Sequence, residues 1–175
     1  MSTIANAGSA LINGFVANPA DEIIPNLWLG NRKAALDQEW LQSHNIKCVF
    51  NCTKDIAFFP TIQRQYRVPI DDNLQPQEIR NLELWSFELV KKLYNEYKTD
   101  QPILVHCAAG MQRSAASVAM LLIVLMNFTP QQAIDYVKSK RSIAFNPFVN
   151  FRQSIEGFYN AYQQVLLQAN PLTKR

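Results

Sequence analysis

The feature that most constrains the fold of this chain is one continuous stretch, residues 103–128. It begins with an apolar strand pattern, continues through a turn that holds one cysteine and one arginine, and ends with a long apolar segment. Residues 103–105 form the strand pattern, and residues 115–128 are long and apolar enough for a core helix. Cys107 therefore lies at the start of a predicted helix. A strand, turn and helix of this kind are typical of a mostly parallel sheet that is flanked by helices.

The turn, residues 107–113, has the chemistry of a phosphate site with a nucleophile. Amides at a helix N-terminus lack helical partners and can converge on an anion, and the helix dipole favours negative charge there. The same field stabilises a thiolate, so Cys107 is a candidate nucleophile. The planar fork of Arg113 can hold two oxygens of an oxyanion. Gly110 lets the backbone bend toward the anion. The contacts of the other four loop residues are expected to be mainly through their backbone: Ala108, Ala109, Met111 and Gln112.

Phosphoryl transfer from an alcohol or phenol also needs a proton donor, because the leaving oxygen otherwise departs as a poor anion. Asp71 and Asp72 follow a predicted strand at residues 66–70. Ligands of parallel α/β sheets collect at the carboxyl ends of the strands, so either carboxylate is a candidate acid. Both can instead cap the helix that begins near Pro76.

The run His106-Cys107-Ala108-Ala109-Gly110-Met111-Gln112-Arg113-Ser114 resembles the His-Cys-x-x-Gly-x-x-Arg-Ser signature of the cysteine-based protein tyrosine phosphatases. Its Cys-Ala-Ala-Gly interior is most similar to the dual-specificity branch. Weaker likeness extends from about Ile23 to about Gln164. The resemblance implies an α/β fold with a mostly parallel central sheet of about five strands flanked by helices. It also implies hydrolysis through a cysteinyl-phosphate, with no metal and no cofactor.

Matching the family pattern residue by residue suggests further roles. A hydrophobic-Pro-hydrophobic-x-Asp pattern places the general acid at Asp72 rather than Asp71. Ser114 would stabilise the departing thiolate, and His106 would orient the loop and help to keep the thiolate charged. The implied substrates are phosphotyrosine and phosphoserine or phosphothreonine in phosphoprotein partners. Two alternatives stay open: a phosphoprotein-binding module without turnover, and a phosphatase of RNA 5′-phosphates or phosphoinositides, which the uncharged loop interior disfavours.

The sequence predicts one catalytic domain over residues 23–168, since 175 residues with 48% hydrophobic content suffice for one sizeable core. Residues 169–175 are expected to be a tail. Residues 1–22 are expected to be a tail or a short helix, in which Leu11 and Phe15 would share a face. A homodimer through this segment is one hypothesis, and disorder or packing on the domain is the other.

Regular elements are expected along the whole domain. The patterns predict strands at 27–29, 46–52, 66–70 and 103–107, and helices at about 33–43, 77–98, 115–127, 130–139 and 147–168. Thr129-Pro130 and Asn146-Pro147 both look like an N-cap followed by a first-turn proline. An apolar stripe on the last helix is predicted to be core: Phe148, Phe151, Ile155, Phe158, Tyr162 and Val165.

Composition also bears on partners and location. No apolar run approaches the ~18–20 residues of a membrane span, and no signal-peptide pattern is present, so no membrane association is expected. Three cysteines give no disulfide framework, which favours an intracellular and cytoplasmic location. A net charge of +3 is too small to indicate a nucleic-acid partner.

Two groups of side chains carry minor hypotheses. Lys138, Lys140 and Arg141 can hold a second phosphate or simply form a solvated helix end. Cys52 can form a reversible disulfide with Cys107, while a zinc site would need Cys48, Cys52, His44 and a fourth ligand.

Overall fold

The computed structural model of the chain describes residues 11–12 and 15–170, with side chains for residues 17–170. Its strands are β1 (Leu11–Ile12), β2 (Phe15–Val16), β3 (Ala20–Ile24), β4 (Leu27–Gly30), β5 (Cys48–Asn51), β6 (Arg64–Arg67) and β7 (Ile103–His106). Its helices are α1 (Arg32–Ala35), α2 (Gln38–Ser43), α3 (Pro76–Tyr97), α4 (Arg113–Met126), α5 (Pro130–Lys140) and α6 (Arg152–Ala169).

Five strands form the central sheet, in the order β3-β4-β7-β5-β6. The strands β4, β7, β5 and β6 run parallel, and β3 joins the edge antiparallel to β4. Every residue of the central strand β7 is buried, as is typical of a parallel strand with helices on both faces of its sheet. The predicted α/β fold, with a mostly parallel sheet of about five strands, is confirmed.

The N-terminal segment departs from its predicted structure. β1 and β2 pair antiparallel, with Leu11 opposite Val16 and Ile12 opposite Phe15, in place of the short helix that the apolar pattern permits. The sheet itself begins at Ala20, before the predicted domain start, because β3 pairs with β4 along residues 20–24. Residues 1–10 and 171–175 lie outside the described residues, so the two tails and the N-terminal homodimer stay predictions.

The single helix predicted at residues 33–43 is two short helices. The Asn31 side chain accepts hydrogen bonds from the amides of Lys33 and Ala34 and caps α1. Asp37 then caps α2, with its carboxylate accepting from the Trp40 amide at 3.1 Å. A side chain that satisfies these amides offers the backbone an alternative to continued helix, and the helical pattern breaks there.

The structure confirms one of the two predicted helix caps that precede a proline, and it places the start of the last helix later than predicted. At Thr129 the predicted capping box is present, since the Thr129 hydroxyl and the Gln132 side chain each accept a hydrogen bond from the other residue's amide. At Asn146-Pro147 the equivalent prediction is wrong, because this peptide bond is cis and α6 begins at Arg152. The carbonyls of Asn146 and Phe148 instead accept hydrogen bonds from the Gln112 side chain.

The helix α4 is the centre of the core, with residues 114–123 all buried. Among the described residues, no single helix is long and apolar enough to cross a membrane. Only α4 and α5 taken together reach that length and composition, and they are bent by 116° relative to each other.

The apolar stripe of the last helix divides into core and surface. Phe151, Ile155 and Phe158 are at most 2% exposed, whereas Phe148 is 75% and Val165 is 50% exposed. The prediction that these residues are core is therefore wrong for Phe148 and Val165. Phe148 precedes the helix, and its backbone follows the path set by Gln112 rather than helical periodicity.

This division predicts different stabilities for two phenylalanine substitutions. Phe151→Ala should lower the free energy of unfolding by about 3–5 kcal/mol, because it leaves a cavity in the core. Phe148→Ala should change it by about 0.5 kcal/mol or less, because the ring faces solvent. Urea denaturation of both variants checks this expectation, and equal losses would contradict it.

Candidate active site

The turn predicted to bind phosphate, residues 107–112, connects β7 to α4 at the carboxyl end of the parallel strands. We call it the phosphate loop. Surrounding backbone holds two of its carbonyls: the Arg32 amide donates to Ala108 at 3.0 Å, and the Phe145 amide donates to Met111 at 2.8 Å. In a trans peptide the N–H points away from the C=O. Fixing these carbonyls outward therefore turns the following amides toward the interior of the loop, where an anion can bind.

Arg141 holds the phosphate loop from behind. Its Nε donates to the Gly110 carbonyl at 2.9 Å, and its Nη1 donates to the Asp21 carboxylate at 2.6 Å and to the Asn18 carbonyl at 2.9 Å. The arginine is 0% exposed, and a buried guanidinium needs such a complete set of partners. Arg141 thereby links the loop to the first strand of the sheet.

This placement corrects the predicted basic cluster. Lys138 and Lys140 are exposed, as a surface cluster requires. Arg141 is not part of it, because its charge is buried and paired with Asp21. It cannot hold a second phosphate at the surface.

Gly110 occupies a position at which any residue with a side chain would be strained. Its φ is +66°, in the left-handed region that side chains disfavour. A Cβ there would lie 2.5 Å from the Gly30 carbonyl oxygen and 3.0 Å from Nη2 of Arg141. The glycine therefore allows both the bend of the loop and the close approach of β4.

Cys107 is the buried thiol at the centre of the site. The Ser114 hydroxyl donates a hydrogen bond to its sulfur at 3.1 Å. Burial by itself raises the pKa of this thiol, but the Arg113 charge, the Ser114 hydroxyl and amide, and the Met111 amide together bring the pKa below its ordinary value. The surroundings of Cys107 thus favour the thiolate, the nucleophilic form.

Arg113 reaches from the phosphate loop to the loop that follows β6. Its Nη1 donates to the Ile70 carbonyl at 2.9 Å. Its Nε is buried and has no hydrogen-bond partner among the described residues. An unpaired charged donor beside the loop amides suits an oxygen of a bound phosphate.

His106 is a buried histidine at the end of β7, next to Cys107. Burial lowers the pKa of this histidine to about 4. Its Nδ1 lies 3.2 Å from the Cys107 carbonyl oxygen, and because a carbonyl only accepts, Nδ1 carries the proton and donates. The neutral ring fits the expected role in orienting the loop. Its expected contribution to the charge of the thiolate stays a prediction.

The two candidate acids have different surroundings. Asp71 forms a salt bridge with Lys54 at 2.8 Å, and its amide donates to the Glu78 carboxylate at 2.8 Å. Asp72 is exposed, and its Oδ1 accepts a hydrogen bond from the Asn150 side chain at 2.9 Å. Asp71 is therefore tied to an ammonium group, while Asp72 keeps its second oxygen, Oδ2, available for proton transfer.

Two side chains at the site were not expected from the sequence. Gln112 is 4% exposed, and its side chain bonds the backbone of residues 146–150, whereas mainly backbone contacts were predicted for it. Asn150 joins that segment to Asp72. Asn150 is a polar residue between two apolar ones in the sequence, which does not identify a partner.

The cysteines other than Cys107 are buried in the core. Cys52 contacts the Ser117 hydroxyl at 3.5 Å, and burial raises its pKa to about 12. Its disulfide with Cys107 stays a prediction. Among residues 17–170, no three His, Cys, Asp or Glu side chains form a group able to hold a metal ion, so Cys48, Cys52 and His44 do not converge.

Known proteins are similar to this chain in sequence and fold. The family described as the catalytic domain of dual specificity phosphatases matches residues 27–161. Dual specificity protein phosphatase 14 of Mus musculus is 33% identical over 77% of this chain and 67% of its own length. Protein phosphatase Slingshot homolog 2 of Homo sapiens is 27% identical over 83% of this chain but only 10% of its own length. The crystal structure of human DUSP28 superposes with a TM-score of 0.72 at 23% identity, covering 83% of this chain and 96% of that one.

The contact between Ser114 and Cys107 makes a prediction about the thiol. Ser114→Ala should raise the pH midpoint of Cys107 alkylation by iodoacetate by about 1–2 units, because a hydrogen bond to a charged group is worth about 1.5–3 kcal/mol. Ser117→Ala is the matched control, since Ser117 contacts Cys52 instead. An unchanged midpoint in Ser114→Ala, or an equal shift in Ser117→Ala, would contradict the assignment.

Proposed function

The chain belongs to the dual-specificity phosphatase family and is a protein phosphatase, and from this premise we propose that Cys107, Arg113 and Asp72 carry its chemistry. The proposed substrates are phosphotyrosine and phosphoserine or phosphothreonine side chains of phosphoproteins. The reaction proceeds in two steps through a cysteinyl-phosphate.

In the first step the Cys107 thiolate attacks phosphorus. A sulfur–phosphorus bond forms while the bond from phosphorus to the substrate oxygen breaks. Arg113 and the amides of the phosphate loop stabilise the equatorial oxygens of the transition state. The protonated Asp72 carboxyl gives its proton to the leaving oxygen, which departs as a neutral alcohol or phenol.

In the second step water hydrolyses the cysteinyl-phosphate. The Asp72 carboxylate takes a proton from the attacking water, the sulfur–phosphorus bond breaks, and inorganic phosphate is formed. The Ser114 hydroxyl, which lies 3.1 Å from the sulfur, stabilises the departing thiolate. The enzyme returns to its starting state, with Asp72 protonated and Cys107 ionised.

The observation that carries this proposal is the arrangement around the buried Cys107 sulfur. The Ser114 hydroxyl donates to the sulfur at 3.1 Å, and the Arg113 charge and loop amides act with it to lower the pKa of the thiol. A module that only binds phosphate needs loop amides and an arginine but gains nothing from an ionised thiol. The same observation supports a reducing compartment, since the nucleophile works only as a free thiolate. We therefore propose an intracellular location.

Hydrolysis assays test these roles directly. In the presence of EDTA, the wild type should hydrolyse a phosphotyrosine peptide and a peptide phosphorylated on both Thr and Tyr. Cys107→Ser should abolish turnover, because an alcohol at this position is not ionised. Asp72→Ala should reduce turnover by about 10²–10⁴-fold, whereas Asp71→Ala, the matched control, should have a much smaller effect.

The alternatives give different results. A folded wild type that binds both phosphopeptides without turnover would favour the docking module. Neither binding nor turnover would direct the search to RNA 5′-phosphates and phosphoinositides. A greater loss in Asp71→Ala than in Asp72→Ala would move the general acid to Asp71.

A further inference from the structure

The side chains of Gln112 and Asn150 connect the phosphate loop to Asp72. Gln112 is the last residue of that loop and is buried. Its Nε2 donates to the carbonyls of Asn146 and Phe148 at 3.2 and 2.7 Å, and its Oε1 accepts from the Asn150 amide at 3.0 Å. One side chain therefore fixes the backbone of residues 146–150 at three points.

Asn150 completes the connection. With its backbone held by Gln112, its side-chain Nδ2 donates to Oδ1 of Asp72 at 2.9 Å. This contact joins residues 78 positions apart in the sequence. Asp72 is otherwise exposed, so in solvent its carboxyl would rotate freely about its terminal torsion.

The loop that carries Asp72 is also fixed on its other side. Arg113, the residue after Gln112, donates to the Ile70 carbonyl, two residues before Asp72. Lys54 and Glu78 hold Asp71, the intervening residue. Backbone contacts thus place the loop, but among the described residues only Asn150 is seen to bond the Asp72 carboxyl itself.

We propose that Asn150 is a positioning residue for the general acid: by holding Oδ1 of Asp72 it directs Oδ2 toward the leaving oxygen of the substrate. This inference rests on the proposed function, in which Asp72 is the proton donor. Asn150 does not touch the substrate phosphate in this scheme. It acts only through the orientation of the carboxyl, and Gln112 acts one step further away by fixing the Asn150 backbone.

A residue that orients the general acid affects the rate in a way that depends on the leaving group, whereas a residue with a general structural role does not. Protonation of the leaving oxygen matters when that oxygen is a poor leaving group and hardly matters when it is already a good one. Misplacing Asp72 should therefore slow hydrolysis of a phosphotyrosine peptide much more than hydrolysis of 2,4-dinitrophenyl phosphate. Disturbing the phosphate loop should slow both equally, because both substrates need the same nucleophile and the same loop amides.

The experiment measures kcat/KM of Asn150→Ala with both substrates. We expect kcat/KM for the phosphotyrosine peptide to fall about tenfold, because the loss of one hydrogen bond that orients the acid raises the barrier by roughly 1–1.5 kcal/mol. With 2,4-dinitrophenyl phosphate the loss should stay within about twofold. Asn81→Ala is the matched control, since its side chain accepts a hydrogen bond from Gln77 within α3 and lies outside the segment that Gln112 holds. It should change neither rate by more than about twofold.

A double variant separates this inference from the proposed function. In the Asp72→Ala background, Asn150→Ala should have no further effect on the peptide, because no carboxyl remains to be oriented. Equal losses with both substrates, a further loss in the double variant, or no loss in the single variant would overturn the role of Asn150. If Asp72→Ala itself shows no dependence on the leaving group, the assignment of the general acid fails first, and the inference fails with it.

Discussion

The buried guanidinium of Arg141 is the interaction on which the rest of the site depends. It bonds the Gly110 carbonyl from behind the phosphate loop and is neutralised by Asp21 on the first strand of the sheet. Breaking such a buried pair typically costs about 3–5 kcal/mol, because the remaining charge loses its partner. Arg141 fixes the Gly110 carbonyl, as the Arg32 and Phe145 amides fix those of Ala108 and Met111. The close approach of the guanidinium also leaves no room for a Cβ at Gly110, whose φ is positive.

The comparison of Cys107 with Cys52 shows which feature creates the nucleophile. Both thiols are buried, and each lies near a serine hydroxyl, Ser114 for Cys107 and Ser117 for Cys52. Burial raises the pKa of Cys52 to about 12, whereas the pKa of Cys107 lies below its ordinary value. The difference is the Arg113 charge close to Cys107 and the loop amides that face its sulfur, which together outweigh the cost of burying a thiolate.

Local patterns in the sequence were sufficient for the four parallel strands, for the core helix after Cys107 and for the capping box at Thr129, because a few consecutive residues encode each of these elements. They did not predict β3, the antiparallel strand at the edge of the sheet. The break at Asp37 was missed although its signal was local, since a capping side chain interrupted an otherwise helical pattern. The pairing of Arg141 with Asp21 joins residues 120 positions apart. It was not predictable, because the hydrophobic periodicity of a helix or strand carries no information on contacts between distant segments. The same holds for Gln112, whose three hydrogen bonds reach residues 34–38 positions later.

The two halves of the proposed chemistry therefore have different origins. Residues within one short stretch, from Cys107 to Ser114, provide the thiolate, so its chemistry could be read from the sequence. The acid is placed by tertiary contacts alone: Arg113 holds the Ile70 carbonyl, and Gln112 holds the segment from which Asn150 reaches Asp72. Gln112 and Arg113 are adjacent, so the backbone at the end of the phosphate loop determines the position of both side chains. It therefore places both the contact with Ile70 and the contact with residues 146–150. A movement of this backbone on phosphate binding would be transmitted to the acid, while changes in residues 146–150 can alter the acid and leave the nucleophile intact.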